Sequence, residues 1–174
     1  RHDVLPVTNR QGPLTVDLGD PASIGRLFRS AGKVDAVISA AGLGKFGPLA
    51  SLTDADFAFS LGNKLMGQVN LVRGGTDWVH DGGSFTLTSG ILGLHPIPGS
   101  AAISVVNAGL DAFARAAALE LPRRLRVNVV SPPWVAETLT AMGRDPAGGL
   151  PAATVARAYL ASLEGTMTGQ VISP

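Results

Sequence analysis

The chain has 174 residues, a formal charge of +1 and no cysteine, with 45% hydrophobic and 16% charged residues. That length suits one domain over residues 1–174 with a real core. The weak charge argues against nucleic-acid or membrane-surface partners, and the missing cysteine removes disulfide scaffolds, thiolate zinc sites and cysteine nucleophiles.

His2, His80 and His95 are scattered without metal-ligand spacing, so no metal site is expected. No apolar run approaches the roughly 18 residues of a membrane span, and no leader pattern is present. A soluble α/β domain is expected, with the cytoplasm as the default location. The chain opens at Arg1 rather than Met, which reads as a piece of a longer product.

In chain order, Leu14–Val16 is a brief strand. Asp20-Pro21-Ala22-Ser23 reads as a helix start with proline in the first turn. Ile24, Leu27 and Phe28 then share one face. Val34–Ser39 is a stronger strand, closed by Ala40-Ala41-Gly42. Ser51-Leu52-Thr53-Asp54-Ala55-Asp56 resembles a capped entry to a helix reaching about Trp78, broken near Gly62, Gly67 or Gly74-Gly75. Asp81-Gly82-Gly83 signals a turn, Ser84–Ser89 a buried strand, and 90–99 a loop. Ser100–Leu121 is an alanine-rich helix, Leu125–Ser131 a strand stopped by Pro132-Pro133, and 141–150 a mobile loop. Pro151–Leu163 is a helix and Gly169–Ser173 a last strand.

Strand and helix in alternation predict a doubly wound, Rossmann-like parallel sheet covered on both faces. Val34–Ser39 and Val127–Ser131 are mostly apolar, as doubly covered strands are. Ligands of such folds bind beyond the carboxyl ends of the strands, here after Val16, Ser39, Ser89 and Ser131.

At those ends the chain resembles the short-chain dehydrogenase/reductase family. Asp17-Leu18 is similar to its Asp-Val pair beside the adenine, and Ser39-Ala40-Ala41-Gly42 to its Asn-Asn-Ala-Gly turn. Phe113–Leu121 resembles the helix after its active site, Arg126–Pro132 its Arg-Val-Asn-x-Val-x-Pro strand, and Thr168–Val171 its closing strand. The resemblance implies a nicotinamide cofactor held by Asp17, Leu18, Ser39, Ala40, Gly42 and Pro132. It also offers Arg1 as a holder of the 2′-phosphate of NADP, because a guanidinium suits phosphate. The plainer reading of Arg1 is an exposed residue near a chain end.

Family members begin with a strand, a glycine-rich turn and a helix that meet the pyrophosphate. That first strand-helix unit is missing here, so about 25–35 residues are expected before Arg1. Gly42–Gly47 has the G-x-G-x-x-G spelling but follows the wrong strand and reads as a loop.

The family's chemistry uses a Tyr, a Lys four residues later, a Ser and an Asn. Matching the helix at Asn107 puts the Lys position on Asn107 and the Tyr position on Ile103. The Ser position falls on Gly90, beside Ser89. Lys64 in Lys64-Leu65-Met66-Gly67 falls on the Asn position. Lysine and asparagine would thus have exchanged places, with Ser89, Lys64 and Asn107 as the catalytic candidates. Tyr159, the single tyrosine, reads as packing. Glu137 is a carboxylate near the mouth or a surface-loop group, Trp134 a wall over a ligand or a core residue, and His95 a replacement proton donor or an exposed loop residue.

The expected function is NADP(H)-linked oxidation or reduction of an unknown small alcohol or carbonyl compound by an altered site. A non-redox nucleotide sensor, or a lyase or isomerase reusing the pocket, is the alternative. The two long helices imply a homo-oligomer, as they do in the family.

Overall fold

Short strands joined by helices pair in parallel, because every connection must cross over the sheet. In the computed structural model, which describes residues 2–174, four strands form one sheet in the order β3 (Val34–Ile38), β4 (Val79–Thr88), β5 (Arg126–Val130) and β6 (Val171–Ile172), all parallel. Two further strands of two residues each, β1 (Val7–Thr8) and β2 (Leu14–Thr15), pair in parallel as a separate sheet. Arg1 lies outside the described residues.

The helix starts follow from their caps. Asp20 accepts the Ala22 N–H (2.9 Å) and Pro21 opens α1 (Pro21–Ala31), which buries Ile24, Leu27 and Phe28 as their spacing predicts. Thr53 and Asp56 form a reciprocal capping box at α2 (Asp54–Ser60). The expected break near a glycine takes another form. A π-helical segment, Leu61–Met66, joins α2 to α3 (Gly67–Gly75). The long helix α4 (Ala101–Ala117) stops before Leu121 because its last residues tighten to i−3 bonds ahead of Pro122. The order closes with α5 (Ala136–Ala141) and α6 (Ala152–Glu164).

Pleating divides the sheet's side chains between two layers. On one face Phe85, Leu87, Val127 and Val129 pack with Val72 of α3 and with Val106, Leu110 and Ala114 of α4. On the other, Val155 and Ala158 of α6 meet Val130. Beside them lies a polar layer. Ser162 Oγ is 2.7 Å from Thr86 Oγ1 and 3.2 Å from the Asn128 amide, which also donates to the Met167 carbonyl.

Only one of the two strands expected to be covered twice is so. β5 is buried from Val127 to Val130, whereas Ile38, level with Thr86 in the register, is 47% exposed. The reason is that α6 lies over β4 and β5 and stops short of β3. The Asp81-Gly82-Gly83 turn falls inside β4 as a bulge: the register passes from Val34↔Val79 to Ala36↔Ser84. Gly82 has φ +78°, and a Cβ at Gly83 would collide with the Asp35 carbonyl.

The loops at the carboxyl ends are tied together. Gly47 N–H donates to Gly99 O (2.9 Å) and Ile91 N–H to Pro132 O (2.9 Å). Phe46 and Trp134 lie 6.0 Å apart, with the Arg144 guanidinium 5.2 Å from the Trp134 ring. The segment 141–150 is thereby organised, with an Asp145-capped turn and a bridge from Val135 to Leu150. Among the described residues, no helix is long and apolar enough to cross a membrane.

Candidate active site

The crevice begins where β3 and β4 part. Ser39 N–H still donates to Thr86 O (2.9 Å). One step later the ladder is replaced by side chains. Thr88 Oγ1 donates to Ser39 O (2.6 Å), and Thr88 N–H donates to Gln68 Oε1 (2.8 Å). Gln68 returns a bond from Nε2 to Thr88 O (2.9 Å). This buried amide on α3 thus stands in for a strand partner, satisfying backbone groups that would otherwise be orphaned.

Lys64 enters the crevice from the π-helical segment. Its Nζ donates to the Ser89 carbonyl (2.8 Å) and to Asn107 Oδ1 (2.9 Å). The structure therefore brings Lys64, Ser89 and Asn107 together across three elements. Burial lowers the Lys64 amine from 10.5 to about 8, against a smaller upward pull from Asp111.

Ser89 meets Lys64 through its backbone. Its hydroxyl is buried without a hydrogen-bond partner, while its carbonyl anchors the amine. Asn107 is buried and acts as an acceptor for Lys64. Gly90 explains the fit: a Cβ there would lie 3.0 Å from Asn107 Nδ2, so a serine at Gly90 would crowd the amide. Ile103 is buried, and a Cβ on Gly44 would meet its Cδ1 at 2.5 Å. An apolar side chain thus lies under the 39–47 loop.

Three participants went unread in the sequence. Gln68 follows Lys64 by four residues, and Asp111 follows Asn107 by four, so each pair shares a helix face. Asp111 sits beside the Ser89 hydroxyl without completing a hydrogen bond through its buried Oδ1. Burial holds its carboxyl above the usual range, opposed by Ser89, Arg115 and Lys64. Tyr159 does more than pack. Its hydroxyl lies 2.6 Å from Thr88 Oγ1, and burial pushes the phenol up, partly offset by that bond.

The other expected residues separate. Asp17 is exposed, and its carboxylate accepts the Gly19 N–H (2.8 Å) in its own turn. Leu18 belongs to the core with Ile24, Phe28 and Leu71, and a Cβ on Gly67 would approach its Cβ to 2.8 Å. The Leu18 side chain is therefore a packing element of this layer. Ala40 is exposed, and the Pro132 carbonyl ties two mouth loops. Glu137 accepts the Ala152 N–H (2.8 Å) at the start of α6, a structural role. His95 is exposed, and Trp134 lies near both Phe46 and Arg144.

A cofactor of the kind the resemblance implies fits the turn after β3. Ser39 Oγ is buried without a partner. Gly42 has φ +138°, and a Cβ there would come within 2.6 Å of Lys64 Cγ, so glycine lets the backbone close on the lysine stem. Among the described residues, no group of three or more His, Asp or Glu is placed to hold a metal ion.

A family model described as "Enoyl-(Acyl carrier protein) reductase" matches residues 5–172. The human 3-oxoacyl-[acyl-carrier-protein] reductase is 32% identical over 117 residues, 66% of this chain and 49% of that protein. Hydroxynaphthalene reductase arp2 of Aspergillus fumigatus is 29% identical over 126 residues, 72% of this chain and 46% of its own. The chain thus spans about half the length of the curated relatives it matches. Among solved structures, the protein lin1944 from Listeria innocua superposes with a TM-score of 0.91 at 40% identity, covering 96% of this chain and 84% of that one. A small-chain dehydrogenase in complex with NADPH gives a TM-score of 0.81 at 26% identity, covering 94% and 87%.

Proposed function

The chain belongs to the short-chain dehydrogenase/reductase family, and from that premise we propose that it is an NADP(H)-linked oxidoreductase acting on a small carbonyl compound or alcohol through an altered proton-transfer site. One observation carries the reading: Lys64 Nζ is fixed by Ser89 O and Asn107 Oδ1 at the carboxyl ends of the strands. When bound, the nicotinamide supplies or removes a hydride. The Ser39–Gly42 turn and the Pro132 loop would hold it, with the Ser39 hydroxyl available as a polar contact.

The chain's own residues then manage the proton. As an ammonium, Lys64 gives a proton from Nζ to the developing alkoxide, and the amine left behind is reprotonated by solvent. Asn107 and the Ser89 carbonyl hold Nζ in position. A lysine at about 8 retains its proton near neutrality yet releases it readily. Binding of NADPH, followed by Trp78 and Trp134 fluorescence, and NADPH oxidation over a carbonyl panel test the reading. It is refuted if neither NADPH nor NADH binds.

Buried Ile103 favours a second reading, a nucleotide sensor without turnover. Tight NADPH binding with no turnover on any carbonyl would select it. We further propose a cytoplasmic homo-oligomer paired through α2 to α4, which leave Phe59, Met66 and Val105 exposed. Sedimentation of wild type and Val105→Arg tests the pairing, with a monomeric variant expected. An unchanged oligomer would refute it.

A further inference from the structure

We propose that Lys64 is also a covalent site: a nucleophilic amine that captures an aldehyde or ketone as an imine at Nζ, without needing a nicotinamide. The geometry suits a neutral amine. Both partners fixed on Nζ, Ser89 O and Asn107 Oδ1, are uncharged acceptors. None of the ion pairs among the described residues includes Lys64. Asp111 is the charged group acting on it, and no ion pair joins the two. A neutral NH2 has two N–H bonds, which those acceptors take, and one lone pair, which they leave free. Lys64 keeps partial exposure, with its stem packed beneath Gly42 of the 39–47 loop.

The step balances without an oxidant or reductant. The lone pair attacks the carbonyl carbon and forms a C–N bond. The carbonyl oxygen takes up the protons shed by nitrogen and leaves as water, giving C=N. Lysines desolvated in this way are the ones that form such adducts. With its amine at about 8, roughly a tenth of Lys64 is neutral at pH 7, against well under a thousandth of an ordinary lysine. Proton donation and capture are therefore roles of one group in its two charge states.

The chain contains three lysines, Lys33, Lys45 and Lys64, and the first two are exposed, so they serve as internal references. The purified protein is incubated at pH 7 without nucleotide, with propanal as the carbonyl and sodium cyanoborohydride to reduce any imine. Peptide mass spectrometry then reads propylation at each lysine. Expected is labelling of Lys64 at least about tenfold faster than of Lys33 or Lys45. Equal or slower labelling of Lys64 overturns the proposal.

Asn107→Asp keeps the lysine and places a carboxylate against Nζ. That raises the amine's pKa by at least about one and should cut Lys64 labelling about tenfold, leaving Lys33 and Lys45 unchanged. Undiminished labelling in this variant, with its fold verified by circular dichroism, also overturns the proposal. Because no nucleotide enters the assay, failure of NADPH binding and failure of imine capture are separate results.

Discussion

Burial of Lys64 makes stability depend on pH with a sign that can be worked out. In the unfolded chain the amine titrates at its ordinary 10.5, and in the folded chain at about 8. Between those values the unfolded state binds more protons, so the fold gains stability as pH rises. Below about 8 both states are charged, and the folded one carries the full cost of a buried ammonium. The interval corresponds to about 3 kcal/mol. In Lys64→Met the titrating group is gone. The loss of two hydrogen bonds, which leaves Ser89 O and Asn107 Oδ1 unpaired, is independent of pH. The difference between the two proteins isolates the ionisation of Lys64 and its coupling to Asp111, since groups independent of the site cancel. Urea unfolding followed by tryptophan fluorescence, from pH 7 to 10.5, should show wild type gaining about 3 kcal/mol relative to the variant. Parallel profiles across that range would refute the claim that the folded protein buries a perturbed amine.

Other perturbations bear on the same crevice. If Lys64 donates the proton in carbonyl reduction, kcat should fall as pH rises through about 8. Asp111→Asn removes the upward pull and should move that limb to lower pH, whereas a limb that stays in place would remove Asp111 from the site. Gln68→Ala strands the N–H and C=O of Thr88 and should cost about 1–3 kcal/mol for each, read as a lower urea midpoint. Gly42→Ala combines φ +138° with a 2.6 Å approach to Lys64. It should destabilise by about 1–3 kcal/mol in thermal melts and disturb the lysine.

Most of the architecture was legible because local signals agreed. Asp20-Pro21 and Thr53 to Asp56 announced helix starts through backbone capping, and the apolar runs announced strands. Lys64 and Asn107 were singled out together through the family resemblance of their flanking segments, and the two residues meet in space. What the sequence concealed was non-local. Gln68 and Asp111 look like ordinary helix residues until one asks why a polar group stands four residues from Lys64 or Asn107 on the same face. Tyr159 finds Thr88 over a separation of 71 positions, which no local pattern encodes. Ile38 reads as buried because composition records that a residue is apolar and does not record whether a helix lies above it.

The wider coil at Leu61–Met66 works as a phase adjuster. A residue in a regular helix turns the chain by about 100°, so removing one residue from this segment would rotate everything downstream by about that angle. Gly67 would swing away from the Leu18 backbone it accommodates, and Gln68 would lose its hold on the end of β4. The angular setting of α3 against the sheet and the aim of the Lys64 head are thus two readings of a single dial. A change in the length of this segment would move both, and only substitution can alter one without the other.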